Sequence, residues 1–196
     1  MSFNNIGSIY NNKGDKDKAL EYFSKSLEIQ KETLTPNHLE IAITLYNIGF
    51  VYYNQKQFNF ALEKYNESLS FFRKNFVTDE HISIAIIFHN IGFLFYKECK
   101  YDLSLNNYNE SLLIKKILYG SNENNSIAIT HFCMAQVFES QGKLDLAQYN
   151  YSESIRIKKC SDPLHKGDDN ISVPSERFKN IAAEGYFCFE VLNFLK

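Results

Sequence analysis

Asn5, Asn47 and Asn90 bring the most suggestive chemistry to this sequence: primary amides at intervals of 42 and 43 residues, each able to donate to and accept from the backbone of an extended peptide. Near them stand Tyr46, Phe50 and Tyr53, then His89, Phe93, Tyr96 and Lys97, aromatic and basic types that can anchor a protein interface. Groups that could make or break bonds are scattered instead. His38, His81, His89, His131 and His165 include no pair at metal-ligand spacing beside a carboxylate on one helix face. No glycine loop is arranged to cradle phosphate. Glu21, Glu63, Glu67, Glu110 and Glu153 fall on faces expected to be solvated, and Ser26, Ser68, Ser111 and Ser154 recur at a packing position. The sequence thus predicts no catalytic set, no metal and no cofactor, and a protein that is not an enzyme.

Composition limits the partners. Lys+Arg 21 against Asp+Glu 23 leaves a net charge of −2, which gives no field to attract nucleic acid. No uninterrupted apolar run approaches membrane-spanning length, and the first residues lack the basic and apolar regions of a secretory signal. Cys99, Cys133, Cys160 and Cys188 are far apart with no CxxC pair, which reads as reduced thiols in a cytoplasmic protein. Asn-x-Ser triplets at Asn66, Asn109, Asn124, Asn150 and Asn170 are read as chance matches, because three fall within helices where a glycan would disturb packing.

The amides are placed by an internal repeat. Thr44-Leu45-Tyr46-Asn47-Ile48-Gly49-Phe50-Val51-Tyr52-Tyr53-Asn54 has relatives around Gly7 and Gly92 and a worn one around Ala135, at intervals of 42, 43 and 43 residues. Such a period predicts stacked units, none able to bury its apolar face alone. Apolar spacing predicts a first helix over 2–13 and a second over 17–33, joined at the break Lys13-Gly14-Asp15, then pairs over 39–54 with 58–75, 82–97 with 101–118, and 126–140 with 144–159. Second helices align Ala19, Ala61, Ser104 and Ala147, then Phe23, Tyr65, Tyr108 and Tyr151, a small residue beside a ring. Links such as Pro36-Asn37-His38-Leu39-Glu40-Ile41-Ala42 and Asp79-Glu80-His81-Ile82-Ser83-Ile84-Ala85 interrupt one helix, and Asn, Asp or Ser is expected to cap the next. The array is expected over 1–160, in units of about 1–35, 36–78, 79–121 and 122–160. A loop over 161–174 and a divergent capping helix over 175–196 follow, the helix striped by Phe178, Ile181, Ala182, Gly185, Phe189 and Leu192.

In these positions of small residue, ring and link, residues 2–159 resemble a tetratricopeptide-repeat array, and the long period is similar to that of kinesin light chains and nephrocystin-type proteins. The resemblance implies an all-α, right-handed superhelical solenoid of four antiparallel hairpins that serves as an interaction scaffold. It also implies that asparagines at Asn5, Asn47 and Asn90 contact a bound partner peptide on the concave face. No Trp fills the position of Phe3, Leu45, Phe88 and His131, and Cys133 stands where three repeats have asparagine.

At about 100° per residue, the helix side opposite the buried stripe presents Asn4, Asn5, Ser8, Asn11 and Asn12, then Tyr46, Asn47, Phe50, Tyr53 and Asn54, then His89, Asn90, Phe93, Tyr96 and Lys97, then Phe132, Cys133, Gln136, Glu139 and Ser140. These are the expected groove residues. Two other readings stand beside the scaffold. The chain could be the regulatory part of a larger enzyme, or it could self-associate through its uncovered N-terminal repeat.

Overall fold

Ser2 and Asp15 show how the helices begin. Each is a short polar residue before an apolar periodic run, and each side chain accepts from the backbone N–H three residues on, at 3.4 Å from Asn5 and 3.2 Å from Lys18. The computed structural model describes residues 2–35, 38–119 and 124–161, and every element among them is an α-helix. These are α1 (Phe3–Asn12), α2 (Lys16–Thr33), α3 (Leu39–Asn54), α4 (Phe58–Asn75), α5 (Ile82–Lys97), α6 (Tyr101–Tyr119), α7 (Asn125–Ser140) and α8 (Leu144–Ser161). The bounds agree with the apolar spacing to within two residues. The capping helix expected over 175–196, and all of the preceding loop but Ser161, lie outside the described residues.

The chain divides into two compact units, Met1–Asp79 and Glu80–Lys196. In the first, α1 pairs with α2 and α3 with α4, and α3 also packs on α2 and along the edge of α1. In the second, α5 pairs with α6 and α7 with α8, and α7 packs on α6 and along the edge of α5. Ala19 and Phe23 of α2 meet Ile48 and Val51 of α3 in one buried cluster, with Tyr10, Leu20, Leu27 and Tyr52 around it. This contact joins the first two hairpins.

Within each of the first three hairpins the helices approach through glycine. A methyl placed on Gly7 would lie 2.8 Å from the Phe23 ring, one on Gly49 2.8 Å from Tyr65, and one on Gly92 3.0 Å from Tyr108. A methyl would force the ring to move at Gly7 and Gly49 and would crowd it at Gly92, so with glycine the ring lies against the opposing backbone and buries most of its area. In the last hairpin Ala135 carries that methyl. Its ring, Tyr151, is half-buried where Tyr65 and Tyr108 are fully buried, and its hydroxyl donates to Glu139 Oε2 at 2.6 Å.

Two features depart from expectation. Asn124 caps α7 as foreseen, its Oδ1 accepting from Ser126 N at 2.8 Å, but α3 and α5 are capped by imidazoles. His38 Nδ1 accepts from Glu40 N at 3.2 Å and His81 Nδ1 from Ser83 N at 3.1 Å; a neutral ring nitrogen can fill the role of a carboxamide oxygen. The turns inside the hairpins each hold one left-handed residue, at Gly14, Lys56, Cys99 and Gly142, with φ of 82°, 60°, 58° and 72°. Only the outer two are glycine, so the inner pair gave no turn signal.

Replacing Gly49 with Ala is predicted to destabilise the protein by about 1–3 kcal/mol, the usual cost of overpacking a filled core. Denaturant titration should show a lower midpoint with an unchanged slope; an unchanged midpoint would refute the close approach of Gly49 to Tyr65.

Candidate partner-binding surface

The first helices were expected to bury one stripe and leave the other side open, but α3, α5 and α7 are buried more fully than that, while α1 buries only Gly7. In α3 every residue from Ile41 to Val51 except Ile43 is buried, and in α7 every residue from Ser126 to Ala135. The reason is topological. Helix α3 is touched by its own partner α4, by α2 and by α1, and α7 likewise by α8, α6 and α5. Their apolar residues run around the whole circumference, as in helices enclosed by neighbours. That signal was present in Ile41, Ala42, Leu45, Tyr46, Ile48, Phe50 and Val51.

Asn47 serves the seam between the first two hairpins. Asn47 is buried and its Nδ2 donates to Asn4 Oδ1 at 3.1 Å, tying α3 to α1. In the second unit the equivalent residues are Cys133 and His89, both buried, with Sγ and Nε2 3.9 Å apart, tying α7 to α5. Behind each pair lies a second polar contact. Thr44 Oγ1 donates to Gln30 Oε1 at 2.8 Å, and at the equivalent positions Lys115 Nζ donates to Thr130 Oγ1 at 2.9 Å. Sequence reading missed Gln30 and Lys115, although each lies eleven residues beyond the small residue of its second helix.

Of the remaining expected site residues, Asn90 is buried, and Tyr46 is buried with its ring 5.5 Å from that of Tyr65. His89 lies against Tyr108 with ring centroids 5.1 Å apart. Phe50 and Phe93 are buried, whereas Asn5 and Lys97 are exposed and Tyr53 and Tyr96 half-buried. Two accessible patches result, one per unit. In the first, Tyr53 stacks on Phe50 at 6.2 Å and lies 6.2 Å from Phe58. In the second, the Lys97 ammonium sits 4.9 Å from the centre of Phe93 and 5.7 Å from that of Tyr96. There Tyr96 lies 6.4 Å from Tyr101, and its hydroxyl is 3.5 Å from Ser140 Oγ.

The thiols divide by burial. Cys99 and Cys160 are exposed and free, while the buried Cys133 thiol is pushed up to about 12 by desolvation, so it stays protonated at neutral pH. Among the described residues no group of three or more His, Cys, Asp or Glu could hold a metal ion, and no helix is long and apolar enough to cross a membrane.

The tetratricopeptide-repeat family model matches residues 1–74. No curated protein matches the chain. Among solved structures, BtubC (BKLC) from P. vanneervenii is similar at 20% identity and a TM-score of 0.74, over 88% of this chain and 66% of that one. The APC/C hetero-tetramer Cut9-Hcn1 is similar at 22% identity and a TM-score of 0.62, over 80% of this chain and 26% of that one. The apo form of RapI follows at 17% identity and a TM-score of 0.66, over 79% and 41%. This chain therefore spans less than two thirds of the length of each. At these identities the likeness is one of fold.

If Asn47 is a seam residue, Asn47→Ala should cost about 1–3 kcal/mol of stability, the penalty for breaking a buried polar pair. Thermal unfolding would register this as a lower midpoint, and a midpoint equal to the wild type would return Asn47 to the open groove.

Proposed function

We propose, from the tetratricopeptide-repeat match over residues 1–74 and from described elements that are all α-helices, a protein-interaction scaffold that binds an extended segment of a partner protein on the concave face of its first helices. The observation that carries this reading is the survival of accessible aromatic patches on helices otherwise closed to solvent. Tyr53, stacked on the buried Phe50, in one unit, and Tyr96 and Lys97, beside the buried Phe93, in the other, offer ring surface for apolar side chains and a cation beside it. Asn5 adds a solvent-facing amide. Tyr46, Asn47, His89 and Asn90 support the face from beneath, fixing the first helices so that binding orders little of the scaffold itself. The period of 42 to 43 residues and the His38 and His81 links support a long-repeat array of the kinesin light chain or nephrocystin type. The free thiols Cys99 and Cys160 fit a cytoplasmic location.

A peptide-display library panned on the whole chain tests the reading. Peptides that bind the wild type should lose about tenfold or more in affinity to a Tyr53→Ala/Tyr96→Ala variant whose helical circular dichroism is unchanged, each interface anchor contributing on the order of 1 kcal/mol or more. Equal affinities would contradict the assignment.

One observation favours a second contact, between copies of the chain. Ile9 on α1 is 38% exposed, whereas Val51, Leu94 and Val137 at the same repeat position are at most 1% exposed. In this reading a hairpin of a second copy covers Ile9. Light scattering should then give a mass that rises with concentration, and Ile9→Asp should abolish the rise; a constant monomer mass for the wild type would dismiss it.

A further inference from the structure

The two units build the same seam from different chemistry. In the first, Asn4, Asn47, Gln30 and Thr44 are all neutral. In the second, the equivalent places hold His89, Cys133, Lys115 and Thr130, three of which can titrate. The hydrogen bonds around Thr130 fix the direction of the rest. Thr130 gives its hydroxyl proton to Ser126 O at 3.0 Å while its Oγ1 accepts from Lys115 Nζ, so at the 3.4 Å contact with His89 Nδ1 it is the ring nitrogen that donates. That leaves His89 Nε2 as the acceptor facing the Cys133 thiol, which is itself a donor.

We propose that the seam between α5–α6 and α7–α8 is an acid-sensitive joint: a proton taken up at His89 Nε2 breaks its contact with Cys133 and lets the last hairpin part from α5–α6, while the neutral seam of the first unit stays closed. A proton at Nε2 meets a thiol already committed as a donor. The new positive charge is also buried, and it lies near the Lys115 ammonium, which is itself buried. The titratable groups around the ring are Tyr108 and Lys115 from α6 and Cys133 from α7; Thr130 is neutral, and Lys97 lies two helical turns along α5 itself. Burial, then the charge of Lys115, hold His89 well below the usual histidine value. Its contribution is therefore complete above the unfolded value of about 6.5 and is lost as pH falls toward the folded one.

Consequences follow for the binding face. Phe93, Tyr96 and Lys97 follow His89 on α5, and Glu139 and Ser140 follow Cys133 on α7, so parting the hairpins splits the second patch, with Ser140 leaving Tyr96.

The first unit supplies the replacement parts for the test. Amide hydrogen exchange of the full chain, corrected for intrinsic rates, would be followed from pH 7 to pH 4.5. Opening of the α7 segment 127–135 should rise about tenfold per pH unit below about 6.5, the slope for one proton. Residues 44–51 of α3 should not follow it. The variant His89→Asn/Cys133→Asn, which installs the Asn4–Asn47 pair of the first unit, should flatten the dependence, and Lys115→Gln should shrink it if the double variant does not fold. An α7 whose exchange ignores pH in the wild type would overturn the proposal. So would a variant with an unchanged slope, which would assign the effect to His81 or His131, both also lowered by burial.

Discussion

The close approach of a ring to a glycine governs this structure. Phe23 on Gly7, Tyr65 on Gly49 and Tyr108 on Gly92 set how near the two helices of a hairpin come, and hence which side chains of the first helix remain for the next hairpin. A ring buried this way contributes on the order of 1.5–3 kcal/mol by area alone. In the last hairpin, where Ala135 stands in place of the glycine, Tyr151 donates to Glu139, whose negative charge, after burial, holds the phenol in its protonated form.

Hairpins formed this way are half-finished objects. Ile48 and Val51 of α3 are covered only because Ala19 and Phe23 of the preceding second helix lie over them. Small polar locks at the edges then fix the angle between hairpins. Lys16 Nζ donates to Asn54 O at the end of α3 at 2.5 Å, and Gln55 Nε2 to Asp17 Oδ1 at 3.3 Å. The second unit repeats the latter through Gln141 and Asp102 at 3.1 Å. The exposed Gln–Asp contact is individually weak, but it recurs at equivalent positions in both units.

Much of the fold was legible because its causes are local and periodic. The spacing of Leu45, Ile48, Gly49 and Tyr52 and the breaks between runs are properties of the chain itself, and the helices begin and end where they imply. What reading along the chain could not supply was the third neighbour. A wheel drawn for α3 alone assigns Asn47 to an open side; the presence of α1 there, which buries Asn47 against Asn4, follows from how hairpins stack. Hence Asn47 and Asn90 of the expected amide ladder are enclosed, while Asn5, Tyr53, Tyr96 and Lys97 remain accessible. The imidazole caps and the left-handed Lys56 and Cys99 were illegible for a different reason: residue types outside the usual preference fill positions that the repeat geometry imposes.

The most direct test of this account is hydrogen exchange of the asparagine side-chain amides, read by NMR on the intact chain. Asn47, enclosed and bonded to Asn4, should exchange far more slowly than the solvent-facing Asn5, its counterpart one repeat earlier. Equal, solvent-like rates at both positions would mean that the first helices line an open wall and that no buried seam joins the hairpins.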